Sequence, residues 1–82
     1  MFDMLTLGQL YDMHRQLCAE HTALHERLFT DQRDDQGQRI PAMPVFSDEW
    51  QMLAAKQDEV REMSRAVYAE TSRREAERMA NA

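Results

Sequence analysis

All three histidines and the single cysteine of this chain fall within twelve residues: His14, Cys18, His21 and His25, at spacings of 4, 3 and 4. At 100° per residue, an α-helix gathers them into an arc of about 60° on one face. Imidazole and thiolate hold zinc and other transition metals, and two of them four residues apart on a helix can chelate one ion. Two such pairs are present, His14 with Cys18 and His21 with His25. A helix rises about 1.5 Å per residue, so His14 and His25 lie roughly 16 Å apart and cannot share one ion. A complete site would need a second chain, or Asp58 or Glu62 from another part of the sequence.

The same face carries Leu10, Leu17, Leu24 and Leu28. A histidine in a helical seam hydrogen-bonds across the interface and sets register, at some cost in stability. This packing role ranks first, a zinc or other transition-metal site second, and redox use of Cys18 a distant third. The His14-x3-Cys18 spacing resembles that of copper-sensing repressors of helical-bundle type. Those repressors also use another cysteine and a basic DNA face, neither of which the sequence contains, so no family is assigned on this spacing.

A second candidate for recognition is Arg39-Ile40-Pro41-Ala42-Met43-Pro44-Val45-Phe46. Two prolines three apart hold the segment extended, in polyproline-like or β geometry. Its apolar side chains either cover the end of their own helices or present a docking strip, Ile40, Met43, Val45 and Phe46, to an unidentified protein partner. Covering ranks first. The preceding Asp31–Gln38 run is wholly polar and reads as a solvated, mobile stretch.

These residues need helices to position them. Thr6-Leu7-Gly8-Gln9 fits a capping box, and apolar or semi-polar residues recur at 7, 10, 14, 17, 21, 24 and 28. The spacing predicts a first helix over about 7–30. Residues 31–47 hold both prolines and Gly37 and form the connection. Ser47 before Asp48 and Glu49 is an N-cap with acids in the first turn, which predicts a second helix over about 48–74. Its inward face is Trp50, Leu53, Gln57, Val60, Met63, Ser64, Val67 and Thr71. Opposite charges four apart are scarce on it, and Arg61 with Arg65 is a like-charge pair, so packing must support it. Residues 75–82 read as a frayed tail.

Composition sets the class. Leu, Ile, Val and Phe make up only 14 of 82 residues, while ten Ala and seven Met raise the hydrophobic share to 43%. Ala and Met favour helix, and two Gly with two Pro offer few breaks, which excludes a β-sandwich or barrel. The expected fold is all-α: one domain over 1–82, a two-helix antiparallel hairpin. Such a hairpin leaves half of each apolar stripe open, which argues for a homodimer forming a four-helix bundle. Its seam would be Leu10, Leu17, Leu24, Leu28, Trp50, Leu53, Val60 and Val67.

The net charge of −5 is evenly spread, at −2 over residues 1–30, −1 over 31–46 and −2 over 47–82. No basic face offers itself to nucleic acid, and no apolar run is long enough for a membrane span or signal peptide. With one cysteine, the expectation is a cytoplasmic protein. Neither a phosphate loop nor a nucleophile elbow can be read, so catalysis is not expected and no cofactor is implied. The sequence is read as a small non-enzymatic interaction module, a bacterial or phage adaptor or inhibitor of a larger protein machine; the alternative is a metal-binding or metal-sensing bundle built on His14, Cys18, His21 and His25.

Overall fold

The computed structural model describes residues 2–81. Helix α1 (Leu7–Leu28) opens on the capping box that the sequence predicts. The Thr6 hydroxyl accepts from the Gln9 N–H at 3.1 Å, and the Gln9 side-chain oxygen accepts from the Thr6 N–H at 2.8 Å. That reciprocal pair satisfies donors which a first turn leaves open.

Two residues before its expected end, α1 gives way to extended backbone at Phe29. The chain then forms a two-stranded antiparallel sheet, β1 (Phe29–Arg33) with β2 (Arg39–Pro41). The expectation of an all-α fold is corrected to a mostly helical one with this small sheet. The Asp31–Gln38 run is exposed along its whole length, as expected, but forms an organised hairpin end. Asp34 accepts from the Gly37 N–H through its carbonyl at 3.0 Å and from the N–H groups of Gln36 and Gln38 through its carboxylate at 2.9 and 3.0 Å. Gly37 sits at φ +81°, where a side chain would strain the backbone. Across the strands, Arg39 Nε donates to the Thr30 carbonyl at 2.8 Å and the Thr30 hydroxyl donates to the Ile40 carbonyl at 3.0 Å.

Ser47 caps α2 (Asp48–Ala80), its hydroxyl accepting from the Trp50 N–H at 3.2 Å. The expected frayed tail is corrected as well: residues 75–80 continue the helix, and Ala82 lies outside the described residues. The reason is side-chain pairing at both three and four residues. Asp58 pairs with Arg61 and Glu62 with Arg65 at i,i+3, while Glu70 meets both Arg73 and Arg74, and Arg73 also meets Glu77. Arg74 reaches further, donating to the backbone carbonyls of Leu5 and, at 2.6 Å, Phe2. Tyr11 donates to Glu75. The last turns of α2 are thereby tied to the segment before α1.

Contacts between the helices run in opposite senses: Tyr11 meets Glu75, His14 meets Tyr68, His25 meets Gln57, and Leu28 meets Trp50. Leu10, Leu24, Leu28, Leu53, Val60 and Val67 are buried between them, with Leu17 and Trp50 packed at the margin. Six of the eight residues expected to form an oligomer seam are thus buried within one chain, and Leu17 and Trp50 are partly covered. The molecule measures 52 × 25 × 15 Å. A helix with its side chains is about 10–12 Å across, so the fold is one layer thick and both broad faces are open.

Truncating this core is costly. Leu28→Ala should lower stability by about 2–5 kcal/mol in denaturant unfolding, whereas Glu77→Ala, which removes one exposed ion pair, should leave the midpoint unchanged. The Glu70 network makes an acid-side prediction. Hydrogen bonds from Arg73 and Arg74 lower the Glu70 carboxyl from the usual 4.5 to about 2. A pKa depressed by folding contributes stability that is complete above the unfolded value and is lost as pH falls through the folded one, here between about 4.5 and 2. A carbon-detected NMR titration should find Glu70 still ionised at about pH 3; a midpoint near 4.5 would show that the network does not hold it.

Candidate functional site

Helical periodicity sorts the surface of this thin layer. At 100° per residue, His14, Cys18 and Tyr11 fall on one flank of the buried Leu10–Leu24–Leu28 line and Met13 on the other, with Leu17 inside the line itself. One broad face therefore carries His14, Cys18 and Tyr11, and the opposite one carries Met13 beside Gln9, Gln16 and Glu20.

The first of these faces holds two concavities. The first is lined by Tyr11, His14, Tyr68, Thr71, Ser72 and Glu75. The hydrogen bond to the Glu75 carboxylate raises the Tyr11 phenol above its ordinary pKa. The His14 ring is tilted against Tyr68 with centroids 6.0 Å apart. The second is lined by Cys18, His21, Thr22, Arg61, Ser64 and Arg65. Sequence spacing brought out His14, Cys18 and His21, and Ser64 and Thr71 as part of the inward face of α2, but not Tyr68, Ser72 and Glu75. Tyr68, Thr71, Ser72 and Glu75 repeat at three and four residues, a signal that points to a face without saying which other helix it meets.

The four candidate ligands do not assemble. Cys18 Sγ lies 3.7 and 3.8 Å from the two ring nitrogens of His14, a separation two ligands of one ion could share. Among the described residues, however, no group of three or more His, Cys, Asp or Glu could hold a metal ion. His21 shares its groove with Arg61 and Arg65, whose positive charges oppose a cation. His25 turns elsewhere, with Gln57 Nε2 3.4 Å from its Nδ1 and its ring 4.9 Å from that of Phe29. Asp58 and Glu62, which might have completed a site, are engaged by Arg61 and Arg65. His25 with Gln57 instead joins the two helices, the kind of cross-helix contact that sets register.

The proposed docking strip divides into two parts. Met43 is partly buried and packs on the core cluster of Leu24, Leu28, Leu53 and Val60, as a cover of the helix ends would. Ile40 and Val45 are 38% and 37% exposed, and Phe46 is 94% exposed. Their backbone is held, since Gln51 Nε2 donates to the Val45 carbonyl at 2.7 Å and Ser47 bonds to the Pro44 carbonyl through both its N–H and its hydroxyl. Phe2, Leu5, Met13, Leu17 and Met63 line a further, apolar concavity. Phe2 and Leu5 were not singled out from the sequence, because they precede the helix.

Among the described residues, no helix is long and apolar enough to cross a membrane. Comparison with known protein families, curated proteins and solved structures finds no match to this chain.

The disposition of the histidines yields a measurable outcome. Protein purified without an affinity tag should melt at the same temperature with and without EDTA at pH 7.5, and added zinc should not raise it. A zinc-dependent rise that disappears in His14→Ala or Cys18→Ala would reinstate the metal site.

Proposed function

We propose that this chain is a non-enzymatic protein–protein interaction module, a helical hairpin that engages a protein partner through Ile40, Val45 and Phe46. The observation that carries this reading is the Phe46 side chain, 94% exposed on backbone that the hydrogen bonds of Ser47 and Gln51 hold in place. An aromatic side chain kept in water on an ordered segment is an anchor with little left to lose in conformational entropy on binding. Role and setting follow by class: a small acidic adaptor or inhibitor of a larger protein machine, of bacterial or phage origin and acting in the cytoplasm. No catalytic step and no cofactor enters the proposal.

Self-association is the second part. The apolar concavity of Phe2, Leu5, Met13, Leu17 and Met63 lies on a broad face of a 15 Å layer, where a second copy would add two helices and complete a four-helix bundle. This surface replaces the leucine seam as the place of contact.

Two substitutions test the two parts. Phe46→Asp should abolish capture of a partner that the unaltered chain retains from its native source, with helicity and melting temperature unchanged; retention of that partner would reject the strip. Light scattering should give about twice the monomer mass for the unaltered chain at micromolar concentration. Met63→Glu should return it to the monomer mass, and a folded monomer in both cases would remove the bundle.

A further inference from the structure

The groove lined by His21, Arg61 and Arg65 gathers anion-binding chemistry that the interaction reading does not use. Arg61 and Arg65 stand four residues apart on α2, so their like charges repel along the helix. Asp58 and Glu62 each make one contact to them, at 3.2 and 3.4 Å, between side chains that are about half exposed or more. Exposed pairs of this kind are weak and readily exchanged. Both carboxylates lie outside the groove: its lining is Cys18, His21, Thr22, Arg61, Ser64 and Arg65, without an acid, in a chain of net charge −5. The side-chain hydrogen bonds at the groove are Cys18 with His14 and each arginine with its carboxylate. Among the described residues, the His21 ring and the hydroxyls of Thr22 and Ser64 are left unengaged.

We propose that this groove binds a tetrahedral oxyanion, a phosphate dianion or phosphate monoester, between the two helices. Each guanidinium offers a planar fork that matches two phosphate oxygens, and the anion relieves the repulsion between the arginines. From α2 the Ser64 hydroxyl, and from α1 the Thr22 hydroxyl and the His21 ring, supply further donors. The phosphate can belong to a modified side chain of a protein or be a free ion; the chemistry of recognition is the same.

The experiment is an NMR titration of the full chain with inorganic phosphate and, separately, with N-acetyl-phosphoserine amide, against sodium chloride at matched ionic strength. Both probes should give saturable shifts at His21, Thr22, Arg61, Ser64 and Arg65 that chloride does not. Arg61→Gln with Arg65→Gln should weaken binding at least about tenfold at unchanged helicity, and the double lysine variant, which keeps charge but not the fork, should fall between. Tighter binding of the phosphoserine probe assigns the site to a modified protein, and equal binding to a free anion. Shifts that stay linear to about 50 mM, centre on other residues or persist in the double glutamine variant would overturn the proposal. None of these outcomes depends on Phe46 or Met63, so the groove and the interaction surfaces stand or fall separately.

Discussion

The backbone carbonyl of Leu28 is the point on which the architecture turns. It belongs to the last residue of α1, where four carbonyls lose their helical partners. Two donors from distant parts of the chain meet it: the Ala42 N–H at 2.8 Å, just past β2, and the Trp50 indole N–H at 3.2 Å, in the first turn of α2. Its side chain is among the most completely buried in the molecule. One residue thus ends α1, anchors the return from the small sheet and sets where α2 begins, and burial makes each of these bonds expensive to leave unmade. Phe29, tilted against His25 and edge-on to Trp50, extends that junction into the aromatic packing around it.

At the other end a different chemistry closes the molecule. Arg74 binds Glu70 and the carbonyls of Phe2 and Leu5, so the chain before α1 is held by a charged side chain rather than by apolar burial. The core between these clamps is a single line of leucines and valines. A chain this short buries a modest fraction of its surface, and clamping the two ends lets that line suffice to join the helices. It also leaves separate concavities open on the surface, two lined by histidine, tyrosine, arginine and hydroxyl side chains and one lined by Phe2, Leu5, Met13, Leu17 and Met63.

How much of this was legible in the sequence depended on how local the deciding contact was. The Thr6–Gln9 box, the Ser47 cap and the buried positions Leu10, Leu24, Leu28, Leu53, Val60 and Val67 follow from spacing within one helix, and periodicity exposed them. The sheet was hidden because its strands are too short, five and three residues, to show an alternating pattern. Its turn was present in Asp34-Asp35-Gln36-Gly37, with Asp at the first position and Gly at the fourth, but that signal is easily taken for a generic polar loop. The persistence of α2 to Ala80 was missed because its last turns are held by the Glu70, Arg73, Arg74 and Glu77 pairs and by the reach of Arg74 to the segment before α1, a long-range contact that the pattern of the tail does not show.

Amino-acid order alone determined that this chain makes two helices, where each starts, and which stripe each buries, because capping and helical periodicity act over three or four residues. Which side chains stand opposite one another was decided only by the tertiary structure. Four histidine and cysteine side chains shared one arc of α1 and invited a metal. The approach of α2 then set Arg61 and Arg65 beside His21, Gln57 beside His25 and Tyr68 beside His14, and so separated the cluster into different environments. The same is true of Met43 and Phe46, three residues apart in an extended segment: one is drawn onto the core and the other left in water, because only one side of that segment faces the helices.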